Sequence, residues 1–352
     1  MPHWLSSMLY KTKNPHGGDI YEGNIELDFS ANTNPFGTPE GVKSAVLSSL
    51  GALSAYPDPY CRGLVSAIAE HENVPKEYVL CGAGAAELIY SFAFAENPGK
   101  AIELAPTFAE YCLPLKGAQI KRFRLKEEND FRPNAELVDF IGETEPDAVF
   151  LCNPNNPTGQ MADPALIEAA AEKCRAIGCR LFLDECFMDL ADAPSSFVPR
   201  LAEFTNVLVL KAFTKGFGMA GLRLGYCLSA DEALLGRMSR AVQPWNVSIP
   251  AQAAGTAALK ETAFLERTRA LIKAERPRIA EKLKKLGIAV FGSDVNFLLI
   301  KAPPELGERL LQRGIRIRDC SNFHGLAEGF YRIAVKLPEE NDRLISAIKE
   351  TL

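Results

Sequence analysis

The chain has 352 residues, 39 basic and 44 acidic, for a net charge of −5, a length that suits one large domain joined to a smaller one. With so mild a balance there is no basic field to track a phosphodiester backbone, which argues against nucleic acid, and nowhere do about 18 apolar residues run together as a membrane span requires. Nine scattered cysteines without a C-x-x-C point to reduced, mostly buried thiols, and four histidines without zinc spacing give no expectation of a metal.

The N-terminal "MPHWLSSMLYKTKNPHGGD" lacks the basic region and continuous apolar run of a signal peptide, so a cytoplasmic protein is expected. Short apolar runs then recur: "YVLC" from Tyr78, "KAIEL" from Lys100, "DAVFLC" from Asp147, "RLFLDE" from Arg180, "NVLVL" from Asn206 and "LRLGYCL" from Leu222. They are continuous rather than alternating, as strands buried on both faces must be. Helical stretches separate several of them. The clearest begins at Asp163-Pro164, a capping acid followed by proline at the first helical position, and stops at Gly178. The alternation predicts a doubly wound α/β sheet from roughly Glu40 to Arg240. After "QPWNVSIP" (Gln243 to Pro250) come a long charged helix, short strands near Phe297 and Ile333, and a last helix to Leu352. The expected division is an N-terminal arm over 1–39 that joins the smaller domain, a large domain over 40–244, and a smaller α+β domain over 245–352.

"LKAFTKGFGMAGLRLGY", from Leu210 to Tyr226, contains a literal G-x-G-x-x-G at Gly216, Gly218 and Gly221. A dinucleotide site needs strand, glycine turn and then helix. Here "LRLGYCLSA" after the glycines reads as a strand, so the helix that would face a pyrophosphate is missing. Lys215 stands immediately before the glycines and Arg223 eight residues later. An amine and a fixed cation so placed suit a phosphorylated aldehyde cofactor, because lysine condenses with aldehydes and arginine grips phosphate with a two-pronged fork.

"TKGFGMAGLRLGY" resembles the lysine segment of the fold type I pyridoxal-phosphate enzymes, the aspartate aminotransferase superfamily, and four further motifs follow the family's order. The resemblance implies an α/β fold with a large, mostly parallel sheet domain and a smaller α+β domain, with pyridoxal 5′-phosphate as cofactor. Lys215 would be the lysine that binds the cofactor and Arg223 a ligand of its phosphate. In "CNPNNPTG", Asn156 would donate to the cofactor's phenolate oxygen. In "LFLDECF", Asp184 ends a buried strand, where a carboxylate paired to the ring nitrogen makes the ring a better electron sink. The glycines of "CGAGAAELIY" precede a helix whose N–H groups near Gly84, Ala85 and Ala86 would hold the phosphate. Phe108 in "APTFAEY" matches the aromatic that stacks on the ring. Tyr56 in "AYPDP" matches the tyrosine that reaches the cofactor of a neighbouring subunit, which implies a homodimer with shared active sites.

Two departures stand out. Many relatives carry Ser or Thr three residues before the lysine, and here Ala212 leaves Thr214 as the nearby hydroxyl. Most aminotransferases have a tyrosine three residues after the aspartate, and here it is Phe187.

Within the superfamily, "HGGDIY" from His16, "DFSANTNPFG" from Asp28, "IRDCSNFHGL" from Ile317 and "YRIAVK" from Tyr331 resemble the histidinol-phosphate aminotransferase group, and more narrowly the threonine-phosphate decarboxylases of cobalamin biosynthesis. By that resemblance Arg332 binds the substrate carboxylate, Arg318 binds the substrate phosphate, and His16, Gly17 and Asn32 line the same pocket. A small phosphorylated amino acid is the expected substrate. Two clamps, one on each end, would turn the bond from Cα to the carboxylate perpendicular to the ring, favouring loss of carbon dioxide; aminotransfer needs the Cα proton to face Lys215 instead. Decarboxylation of O-phospho-L-threonine is the leading expectation. Transamination of histidinol phosphate or a related amino acid is the alternative.

Overall fold

The computed structural model describes residues 16–21 and 23–352; the signal-peptide reading of the N-terminus falls almost wholly on residues 1–15, outside the described residues. A seven-stranded sheet forms the centre of the larger part. Across it the strands run Val79–Gly82, Gly225–Leu228, Val207–Ala212, Arg180–Asp184, Ala148–Cys152, Lys100–Ala105 and Gln119–Arg124. Gly225–Leu228 is antiparallel to both its neighbours, and the other pairings are parallel. Each of the six apolar runs of the sequence contains a strand, although in the run from Leu222 it begins only at Gly225, after a turn that ends with Arg223 in the left-handed conformation.

Side-chain alternation explains why those runs are continuous. Ile102, Val149, Leu151, Leu181, Leu183, Val207 and Val209 pack into one core, whereas Ala101, Ala148, Phe150, Phe182, Leu208 and Leu210 pack into another on the opposite face. Each face is covered by helices, so every position must be apolar; burying each large side chain stabilises the fold by roughly 1.5–3 kcal/mol. The helix Pro164–Ala176 starts as its sequence predicts, with Asp163 Oδ1 accepting from the Ala165 amide at 2.8 Å.

The strand Gln119–Arg124 has no counterpart among the apolar runs. It lies at the sheet edge, where only Phe123 is buried and polar side chains face solvent. The smaller sheet has the order Arg318–Asp319, Phe330–Ala334, Phe297–Lys301, Ala289–Val290, with antiparallel pairing throughout. Its core takes in Ile279 and Leu283 of the long helix Thr262–Lys285 and Leu344 and Ile348 of the last helix, Pro338–Thr351. The arm contributes Leu27 and Phe29 to that same core, and Leu27–Asp28 pairs in parallel with Ile315–Arg316. The helix Ile249–Ala258 packs its Ala251, Ala254 and Ala258 into the core of the large sheet. Among the described residues no helix is long and apolar enough to cross a membrane.

Candidate active site

In an open, mostly parallel sheet, groups that act on a ligand gather beyond the carboxyl ends of the strands. Four such ends meet here. Ala148–Cys152 leads into the "NPNNPTG" loop, and Arg180–Asp184 ends on Asp184 itself. Val207–Ala212 runs into a single helical turn, Phe213–Gly216, that carries Thr214 and Lys215. Val79–Gly82 leads to the helix Ala85–Glu96.

Of the glycines after Lys215, Gly218 is the one that close packing requires, whereas a Cβ on Gly221 would meet nothing within 4 Å. Gly218 has φ +60°, and a Cβ there would lie 2.5 Å from the Gly37 carbonyl oxygen. Asn34 Nδ2 donates to the Gly216 carbonyl at 2.8 Å and Thr38 Oγ1 to the Gly218 carbonyl at 2.8 Å. The "NTNPFGT" segment therefore locks the lysine turn through backbone contacts that only small residues allow. Lys215 is half-buried, with Nζ 5.5 Å from the centre of the Phe187 ring. Burial, followed by the guanidinium of Arg332, brings its ammonium pKa down to about 8, against a smaller opposing pull from Asp184. An amine so poised is a ready nucleophile toward an aldehyde near neutral pH.

Asp184 is 5% exposed. Burial raises its pKa, while the Cys186 amide at 2.8 Å and the Tyr111 hydroxyl at 2.6 Å donate to its oxygens and favour the anion. Tyr111 is fully buried and stacks its edge on Phe108, with ring centres 5.7 Å apart. Tyr111 was invisible to sequence reasoning: no motif marks it, and its partner lies 73 residues away.

A candidate anion cradle lies at Gly84. This residue has φ +89°, a conformation that side chains rarely adopt, and a Cβ there would lie 2.7 Å from Arg223 Nη2. The helix it opens has no side-chain cap, so the amides of Ala85 and Ala86 at its positive end are presented without one, with Arg223 beside them. A buried carboxylate, a depressed lysine and this cradle fit a phosphorylated pyridine aldehyde.

The residues expected on the substrate side come from three parts of the chain. Arg332 donates through Nη1 to Asn156 Oδ1 and through Nη2 to the Ser30 carbonyl at 2.7 Å. With its oxygen engaged, the Asn156 amide group has its N–H donors to offer. Arg318 is the cross-strand partner of Arg332 and donates to Asn322 Oδ1 at 2.8 Å. His16 Nε2 lies 2.6 Å from Glu110 Oε1, with its ring 5.8 Å from that of Phe108. Gly17 is pressed on the Ser30 carbonyl. Asn32 is buried, and among the described residues neither its Oδ1 nor its Nδ2 has a partner. Thr214 lies beside Lys215 in the same helical turn. Tyr56 is 79% exposed and packs on Trp245, ring centres 4.7 Å apart.

Comparison with known proteins agrees with this geometry. Threonine-phosphate decarboxylase of Salmonella typhimurium is 36% identical over 354 residues, 96% of this chain and 96% of the relative. Histidinol-phosphate aminotransferase 1 of Archaeoglobus fulgidus is 34% identical over 331 residues, 93% of this chain and 99% of the relative. The crystal structure of the histidinol-phosphate aminotransferase from Clostridium acetobutylicum superposes with a TM-score of 0.84 at 29% identity, covering 92% of this chain and 98% of that one. The model of the family "Aminotransferase class I and II" matches residues 24–348. With its cradle, its acid and its lysine at the ends of those strands, the chain belongs to the class I and II aminotransferases, enzymes of fold type I that depend on pyridoxal phosphate.

Proposed function

We propose that this enzyme decarboxylates O-phospho-L-threonine to (R)-1-amino-2-propanol phosphate, a step of cobalamin biosynthesis. The observation that carries the reading is the opposition of Arg318 and Arg332 on adjacent strands. Like charges placed directly opposite destabilise a sheet, and a ligand with two anionic ends relieves the repulsion. The similarity to the Salmonella threonine-phosphate decarboxylase supports the same substrate.

Pyridoxal phosphate, when bound, supplies an electron sink for the pair left on Cα when one of its bonds breaks. The protein selects the bond. Arg332 takes the carboxylate and Arg318 the phosphate, with His16, Gly17 and Asn32 lining the pocket between them. Lys215 then delivers a proton to Cα, and its amine near pKa 8 is suited to exchange one. Asp184 would hold the ring nitrogen protonated. Asn156 would donate to the phenolate oxygen, while Phe187, packed on Phe297 with ring centres 5.1 Å apart, offers that oxygen no hydroxyl. Phe108 would cover the ring. The amides of Ala85 and Ala86, at the helix that Gly84 opens, would hold the cofactor phosphate together with Arg223 and Thr214.

The working form is a homodimer. Leu47, Leu50, Leu53, Tyr56, Tyr60 and Trp245 are all exposed, an apolar surface of the kind that a second copy covers. Tyr56 would then reach the partner's cofactor phosphate.

The second reading, transamination of histidinol phosphate, is favoured by the 34% identity to an enzyme of that name. Histidinol phosphate carries no carboxylate, so it leaves one of the two opposed arginines without an anion. Turnover of O-phospho-L-threonine should therefore be compared with that of histidinol phosphate plus 2-oxoglutarate. A higher kcat/KM for phosphothreonine, with an amino alcohol phosphate as product, supports the decarboxylase. Preferential turnover of histidinol phosphate refutes it.

A further inference from the structure

Glu110 sits at the mouth of the cleft with its side chain only 14% exposed. Its Oε1 accepts from His16 Nε2 at 2.6 Å. The Tyr90 phenol faces the same carboxylate, and burial together with the Glu110 charge raises the Tyr90 pKa. Behind His16 the backbone is pinned. A Cβ on Gly17 would lie 2.4 Å from the Ser30 carbonyl oxygen, and the Gly18 amide donates to Ser30 Oγ at 2.8 Å. The same Ser30 carbonyl accepts from Arg332 Nη2. One strap thus runs from Arg332 through Ser30 to His16, and Glu110 fastens its far end.

We propose that Glu110 is a positioning residue that sets affinity for the substrate by holding His16 in the wall of the pocket. It holds the His16 ring through the 2.6 Å contact between Nε2 and Oε1, and so fixes the orientation of the ring in the pocket wall. This inference rests on the placement of His16 in the lining of the substrate pocket given under Proposed function. Glu110 reaches the substrate only through His16, so its contribution falls on binding and not on the bond-breaking step.

The test is steady-state turnover of O-phospho-L-threonine by the holoenzyme as wild type, Glu110→Gln, His16→Asn and the double variant. Glu110→Gln is expected to raise KM about tenfold, the worth of one charge-assisted hydrogen bond, while kcat stays within about twofold. The visible absorbance of the bound cofactor stays as in wild type. In the His16→Asn background the same change alters KM by less than about twofold, because its route of action is already gone. An unchanged KM in the Glu110→Gln enzyme overturns the inference, as does an equal further rise in the His16→Asn background. Both outcomes presuppose an active wild type. A wild type that neither binds nor converts O-phospho-L-threonine overturns the parent reading instead, and this inference with it.

Discussion

Arg318 and Arg332 face each other as cross-strand partners in the smaller sheet, two cations side by side. Burial, with Arg318 adding to it, lowers the Arg332 pKa to about 10, and burial lowers that of Arg318 as well. On the proposed reading, the two anionic ends of the substrate relieve this opposition. Replacing Arg318 by Gln is expected to raise KM for O-phospho-L-threonine about a hundredfold, since truncating one partner of a desolvated charge contact costs about 2–5 kcal/mol. Thermal unfolding of the substrate-free protein should be unchanged or shifted upward. A KM within threefold of wild type, roughly the scatter of a surface charge change, would remove the phosphate role.

Tyr111 supports Asp184 from beneath with a 2.6 Å hydrogen bond in a site where burial disfavours the carboxylate. Tyr111→Phe keeps the ring packing and deletes only that donor. The expected loss in kcat/KM is about tenfold to a hundredfold, as for a hydrogen bond to a charged group worth roughly 1.5–3 kcal/mol. Cofactor affinity should weaken as well, with the far-UV circular dichroism unaltered. Wild-type kinetics would show that the Cys186 amide suffices.

Gly84→Ala tests the cradle. The new methyl group meets both a φ of +89° and the Arg223 guanidinium. Strain of about 1–3 kcal/mol predicts a loss in pyridoxal-phosphate affinity of roughly tenfold to a hundredfold, measured by equilibrium dialysis. Undiminished affinity would place the phosphate elsewhere.

Glu185, next to Asp184, is buried beneath the sheet, where the Ser196 hydroxyl donates at 2.5 Å and the Phe197 amide at 2.8 Å. Burial pushes its pKa from 4.5 up to about 7. The fold thus favours the protonated carboxyl, so the stabilisation is complete below about 4.5 and is lost as pH rises through about 7. Urea unfolding across this window should show wild-type stability falling by an amount on the order of 3 kcal/mol attributable to this group. Glu185→Gln should flatten that fall. A variant with the same pH slope as wild type would exclude Glu185 as its source.

The strands of the large sheet were legible because burial on both faces leaves uninterrupted runs such as Val207–Leu210. The edge strand Gln119–Arg124 was not, since one buried Phe123 among charged neighbours carries no such signal. Lys215, Asp184, Asn156 and Arg332 were found through short motifs that resemble a family. Their couplings were not legible, because Arg332 reaches Asn156 and Ser30 across 176 and 302 residues of sequence. Tyr111 and Glu110 are of this second kind: their partners, Asp184 and His16, are brought near only by folding. The buried pair of Lys211 and Glu72, 2.9 Å apart across 139 residues, is another.

The most direct measurement follows the carboxyl carbon of the substrate. With O-phospho-L-threonine isotopically labelled at its carboxyl group, the label should appear as carbon dioxide in equal amount to the aminopropanol phosphate formed, with the cofactor returned to its aldehyde form. Retention of the label in a keto acid, with the cofactor accumulating as its amine, would contradict the assignment and make the enzyme an aminotransferase.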